Sequence, residues 1–393
     1  MHSPPAESVR LHRRGRAATL LALGLAGATL GACRGQASAD RGAAAAVTTP
    51  NPRRSMDLGV DHDAYTALGY RLAWRGYAVM GRGGALLHAT PVDDGILIHS
   101  TNHILTFLDA NTGANRWSTT IGSPLDVFVG DVPVGDRVYS TSDTELFILD
   151  RATGALRDRQ SLAVVVSTAP TIMGPVAVFG AGSGEVLGHN LLTGFKLWGY
   201  QLRGRIEARP VPVGELVGVV SRTGDTIIID PMTGSATLRS RIFGGLANTP
   251  VADEGAMFVA SLDQSIYAFP ARGSSWLWRI RTETPLTAQP TLLGNALYID
   301  IPGDGLTALD PATGSTVWAN PEAGGTVIGL RDGDLIAFRD SDGAAFRLDP
   351  RTGDIIERVR LTGVERLMMR PTTDGSLFAV SHAGVVDRFI PRS

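Results

Sequence analysis

From about residue 85 onward, apolar residues come in short runs broken by Gly, Pro, Asp and Thr, without the three-to-four-residue recurrence of an amphipathic helix. Some runs alternate with polar residues, as in Leu105-Thr-Phe-Leu108 and Leu306-Thr-Ala-Leu309, and others are compact and β-like, as in Ala256-Met-Phe-Val-Ala260. Turn residues return roughly every 8 to 12 positions, a pattern that predicts many short strands and no long helix.

The punctuation is itself periodic. An apolar pair followed by Asp-x-x-Thr-Gly recurs as Asp109 to Gly113, Asp150 to Gly154, Asp230 to Gly234, Asp310 to Gly314 and Asp349 to Gly353, and with Asn190 in place of Asp before Gly194. A worn copy, Pro270-Ala-Arg-Gly273, fills the gap, so the glycines at 113, 154, 194, 234, 273, 314 and 353 are 39 to 41 residues apart. The phrase describes a tight hairpin. The acid accepts from backbone N–H groups just ahead, proline presets φ, and glycine takes the positive φ that the turn requires.

Trp117, Trp198 and Trp318 each stand four residues past a hairpin glycine, and Trp276 and Trp278 bracket that position in the worn copy. Pro91, Pro170, Pro210, Pro250, Pro290 and Pro371 keep the same beat, each ahead of a short β-like run. Eight places at a forty-residue step predict an all-β chain, an eight-bladed β-propeller of four-stranded antiparallel blades. The last unit is one strand short, while Tyr70-Arg-Leu-Ala-Trp74-Arg-Gly-Tyr77 is a Trp-bearing strand without a unit. Pairing the two closes the ring by an N-terminal strand and hides a sheet edge that would otherwise template aggregation.

Ahead of the repeats the texture changes. Arg10, Arg13, Arg14 and Arg16 precede an uncharged stretch, 17 to 32, rich in Leu and Ala, and it ends Leu30-Gly31-Ala32-Cys33. This has the layout of a secretory signal and is short for a membrane span, which takes about 20 apolar residues. The last four residues resemble the bacterial lipobox, in which cleavage precedes a lipidated cysteine, here Cys33. The expected organisation is a lipoprotein signal over 1–32, a flexible tether over 33–64 and the propeller over 65–393. Losing residues 1–32 removes four Arg and Glu7 and takes the formal charge from −2 to −5.

Composition narrows the function classes. Near-balanced charge with no basic run beyond the N-terminus argues against nucleic acid, which needs a concentrated positive face. One cysteine excludes an intramolecular disulfide and any Cys-rich metal site. His99-Ser-Thr-Asn-His103 has a metal-like spacing, but two histidines at i and i+4 meet only on a helix, and here a solvated hairpin is expected. Gly180-Ala-Gly182-Ser-Gly184 lacks the Lys and the helix of a phosphate loop and reads as another turn.

The phrase Ala308-Leu-Asp310-Pro-Ala-Thr-Gly314-Ser-Thr-Val-Trp318 resembles the tryptophan-docking repeat of the pyrroloquinoline quinone propeller superfamily, a resemblance running over about 69 to 393. One branch of that superfamily comprises quinoprotein dehydrogenases, many with a vicinal disulfide and acidic calcium ligands; neither pattern is evident here. The other comprises non-enzymatic outer-membrane assembly lipoproteins of the BamB type. Similarity to the second branch implies no catalytic residue, cofactor or metal. It implies a monomeric scaffold at the periplasmic face of the outer membrane, touching the bilayer through its lipid alone and partnered by the outer-membrane β-barrel insertase. In that family inter-blade loops grip the insertase, and the matching segment here is Leu202-Arg203-Gly204. Leu202 and Arg203 are therefore the candidate partner residues, with an ordinary strand end as the alternative. The next loop, 245 to 250, lacks the family's acids. Two other readings stay open: a quinoprotein-like enzyme or small-ligand sensor, and an envelope propeller with an unrelated partner.

Overall fold

A computed structural model describes residues 61–369 and 375–392. The signal segment, Cys33, most of the expected tether and Pro371 lie outside the described residues.

Thirty-two strands form eight four-stranded antiparallel sheets, and these are the blades of a propeller. Blades 1 to 7 use consecutive strands over 86–120, 128–161, 171–201, 211–241, 251–281, 291–320 and 326–360. Blade 8 takes three strands from 366–391 and its fourth from the other end of the described chain. Strand β1, Tyr70–Tyr77, pairs with the last strand in antiparallel register from Tyr70 opposite Pro391 to Tyr77 opposite Val385. The ring is thus closed by the N-terminal strand. Its Arg75 also grips the buried Asp387 of the last strand, with Nε to Oδ1 at 2.8 Å.

In each of blades 1 to 7 the first strand is innermost, beside the first strands of its neighbours, and the fourth is outermost. Pro170, Pro210, Pro250 and Pro290 stand immediately before innermost strands, where a missing N–H breaks no ladder. Alternation fails in the middle strands: Gly95–Ser100 and Ala256–Ser261 are buried throughout, and so is Thr106, the polar member of the run Leu105-Thr-Phe-Leu108. Both faces of a middle strand are covered by flanking blades, so neither faces water. Alternation survives in outermost strands such as Ile355–Arg360.

The apolar core has no centre. Its eight clusters each join two neighbouring blades, for example Leu97, Phe107 and Trp117 of blade 1 with Phe128, Val138 and Phe147 of blade 2. Cohesion is therefore mostly nearest-neighbour, as in other repeat proteins.

One element was not foreseen in the sequence. Helix α1, His62–Ala67, straddles the expected boundary between tether and propeller, capped by Asp61, whose side chain accepts from the N–H groups of Asp63 and Ala64. It seals the joint between blades 7 and 8, where Tyr65 stacks on Phe389 at 3.6 Å between centroids.

The Asp-x-x-Thr-Gly phrase joins third and fourth strands. Asp109 Oδ1 accepts from the N–H groups of Asn111 and Thr112, both at 2.9 Å, and Gly113 closes the turn at φ 70°. Each docking tryptophan reaches across to the next blade. Trp117 donates its indole N–H to the carbonyl of Arg151 at 2.9 Å, and a Cβ on Gly154 would lie 2.4 Å from its ring. Trp74 does the same to Ala110 and Gly113, Trp198 to Pro231 and Gly234, and Trp318 to Pro350 and Gly353. Of the bracketing pair, Trp278 docks, on Pro311 and Gly314, while Trp276 packs edge-on against Tyr267.

Candidate partner-binding face

Loops that carry the chain from an outermost strand to the next innermost strand all emerge at one end of the ring, together with the turns between second and third strands. Backbone at this end is zipped from blade to blade. Asn248 donates to the Ala288 carbonyl at 2.6 Å, Gln289 to the Thr249 carbonyl at 2.8 Å, and Thr291 to the Val327 carbonyl at 2.8 Å. A rigid platform results, with a depression of about 1140 Å³ over the channel between the residues leading into the inner strands of blades 4 to 8. A second hollow of about 340 Å³ adjoins it, sharing Glu207, Thr249 and Arg366 and adding His88, Asp131 and Arg209.

Beneath the second hollow is a buried polar cluster. His99 Nδ1 lies 2.9 Å from Asp131 Oδ2, and the Ser140 hydroxyl donates to Asp131 Oδ1 at 2.5 Å. The hydroxyl thus engages the carboxylate and not the imidazole, which is not the order of a nucleophilic triad. Burial pushes the Asp131 carboxyl up, but the charge and hydrogen bond of His99, with His88 and Ser140, outweigh it and hold the group below its ordinary value. Burial pulls the neighbouring His88 down. The expected solvated hairpin is corrected here: His99 is fully buried, because its strand is the second of blade 1 and blade 2 covers it, while His103 remains in the turn at φ 61°. Both rings pack edge-on against Phe128. Among the described residues no three His, Cys, Asp or Glu are grouped to hold a metal ion.

The hairpin acids have structural partners. Arg116 forks onto Asp109 and reaches Asp94 at 2.7 Å; burial pushes the Asp109 carboxyl up, but its bonds from Arg116, Thr112 and Asn111 outweigh this and hold it at about 2.

The two candidate partner residues part company. Leu202 is buried between blades 3 and 4 with Val176, Ile206 and Val217, and its N–H donates to the Gly184 carbonyl. Arg203 is exposed and lies across Asp225, with Nε to Oδ2 at 2.9 Å and Nη2 to Oδ1 at 2.7 Å. Asp225 stays low because these bonds and the Arg203 N–H outweigh its burial. The same end carries bare apolar tips that the sequence reading passed over: Leu125 is 91% exposed and Phe243 is 90% exposed. A large apolar residue between turn residues, off the strand pattern, was the available signal. Phe243 stands in the loop lacking the family's acids, yet its N–H meets an acid from the adjoining turn, Asp263 Oδ2, at 3.2 Å.

Comparison with known proteins gives one consistent answer. The profile of the family described as outer membrane protein assembly factor BamB matches residues 67–209, 101–242, 183–328 and 249–389 in overlapping frames. The BamB of Bordetella pertussis is 28% identical over 155 residues, 38% of this chain and 40% of that protein. The BamB of Burkholderia pseudomallei is 26% identical over 161 residues, covering 39% and 42%. The chain thus aligns with about two fifths of the length of these relatives. Among solved structures, BamB from Moraxella catarrhalis superposes with a TM-score of 0.64 at 22% identity over 82% of this chain and 97% of that one. The designed Ika8 protein gives 0.66 at 13% identity over 78% and 96%, so both likenesses concern the fold.

Proposed function

The chain belongs to the outer membrane protein assembly factor BamB family, and from that premise we propose that it is a non-catalytic scaffold in the assembly of outer-membrane β-barrel proteins. The observation that carries the proposal is the family match, which runs around nearly the whole ring, 67 to 389, and not over one blade. The platform of inter-blade loops supports it: a surface fixed by blade-to-blade hydrogen bonds loses little entropy on docking. Its exposed groups, Leu125, Arg203 and Phe243, set two apolar side chains beside a guanidinium, and aromatic residues and Arg are enriched at protein interfaces. The partner in this reading is the β-barrel insertase, and the ring is held at the periplasmic face of the outer membrane by lipid on Cys33.

Two experiments test it. The full chain, tagged at its C-terminus, is expected to co-purify with the insertase from detergent-solubilised envelopes, and Arg203→Ala with Phe243→Ser to reduce recovery while leaving melting unchanged. Failure of the unaltered protein to bring down the insertase at native expression would refute the assembly role. Cys33→Ser is expected to abolish fatty-acid labelling and release the protein from membranes; labelling that persists would refute the anchor alone.

A further inference from the structure

Six blades carry the Asp/Asn-x-x-Thr-Gly turn in full, and in five of them the glycine lies under an indole from the preceding blade. The pairs are Trp74 over Gly113, Trp117 over Gly154, Trp198 over Gly234, Trp278 over Gly314 and Trp318 over Gly353, with the glycine's missing Cβ position 2.3 to 2.8 Å from the ring. Blade 3 is the exception among the described residues. Its turn, Asn190 to Gly194, is intact, with Asn190 Oδ1 accepting from Leu192 and Thr193, but the place four residues past Gly154 holds Asp158.

Gln160 substitutes for the polar half of the missing tryptophan only. Its amide donates to the Leu191 carbonyl at 2.9 Å, the position an indole N–H takes elsewhere, and its oxygen lies 2.8 Å from His189 Nε2. The apolar half is not replaced. The atom nearest to a Cβ on Gly194 is Gln160 Cδ at 3.6 Å, and an open cleft of about 510 Å³ lies between the outer parts of blades 2 and 3. Leu192 is 79% exposed and Phe195 is 74% exposed on its wall.

We propose that this cleft is a docking site for an aromatic side chain borne on an extended segment of a partner protein. The aromatic class follows from the molecule itself, because five equivalent clefts each receive an indole in cis. The extended segment follows from the adjoining strand, Phe195–Gln201. It is the outermost of blade 3, with one edge of its ladder free, and it exposes Phe195 and Leu197 where the outer strand of blade 2 exposes mainly charge. A strand added to that edge gains backbone hydrogen bonds and places alternate side chains toward the cleft. Residues 1–60 contain no Phe, Tyr or Trp, so the chain's own N-terminal segment is not the aromatic donor. The site is separate from the loop platform, and stands or falls apart from the assembly role.

The test uses the full chain and a fluorescein-labelled peptide of alternating Thr and Val with one central Trp, read by fluorescence anisotropy. The peptide is expected to bind, and its Trp→Ala counterpart to bind about tenfold more weakly or worse. Asp158→Trp, which restores the repeat's own indole, and the double variant Leu192→Glu with Phe195→Glu should each weaken binding by about tenfold while still unfolding cooperatively. Equal binding of the two peptides, unchanged binding by both variants, or no binding by the unaltered chain would overturn the proposal. So would self-association of the chain that Phe195→Glu abolishes, since the occupant would then be a second copy.

Discussion

Truncating Trp74 tests whether the N-terminal strand holds the ring shut by the same clamp that joins the other blades. The indole is 9% exposed, packs on Phe378 at 5.9 Å, covers Gly113 and donates to the Ala110 carbonyl at 2.8 Å. Replacing a buried tryptophan by alanine costs about 3–5 kcal/mol from lost transfer and the cavity left. That range includes about 1 kcal/mol for the hydrogen bond, so Trp74→Phe, which keeps a ring without the donor, should lose about 1–2 kcal/mol. For a body larger than 250 residues a loss of 1 kcal/mol moves the melting point by about 2 °C, giving roughly 6–10 °C for Trp74→Ala. Trp318→Ala is the control, because its N–H reaches Pro350 at 2.8 Å in an identical clamp away from the seam. Urea unfolding of both variants should show similar losses, and hydrogen exchange should show amides of 70–77 opening in the Trp74 variant alone. A loss below about 1 kcal/mol, or exchange spread evenly over the blades, would refute the view that this side chain locks the seam.

Three further outcomes are expected. Deleting 61–77 strips blade 8 of its outer strand and uncovers Phe389, so the product should be aggregated or unfolded; a soluble monomer melting like the parent would contradict the closure. Gly353→Ala places a Cβ 2.3 Å from the Trp318 ring at φ 76° and should cost about 3 kcal/mol or more, measured by denaturant midpoint at constant m-value. Burial lowers the pKa of both His88 and His189 from 6.5, so the unfolded chain binds their protons more readily. Their contribution to stability is then present above about 6.5 and lost as pH falls through the lower folded values. Melting temperature should fall on acidification below that point, and His189→Gln should flatten the fall; a profile level down to about pH 5 would contradict the sign.

The sequence carried the architecture because its turns repeat. Glycine at a fixed interval marks a φ that other residues resist, so blade number and the seam strand could both be counted from the chain. Burial was harder to read. Thr106 and His99 are polar and look solvent-facing, yet each lies in a strand covered on both sides, which depends on neighbours forty residues away. The blade 2 clamp was illegible for a related reason. Gln160 stands two places past the repeat position, so only the folded arrangement reveals that its amide has taken over an indole's bond. Of the two candidate partner residues, the three-letter match carried no information about orientation: Leu202 points inward and Arg203 outward.

Strand β1 is the outermost strand of its blade, and helix α1 ahead of it packs on β1 and on Ile355–Arg360, the outermost strand of blade 7. The described chain therefore begins at the rim of the wheel and not at its hub. Any pull applied at Asp61 is borne first by the seam that shuts the ring, which makes the closure the mechanical fuse of the wheel.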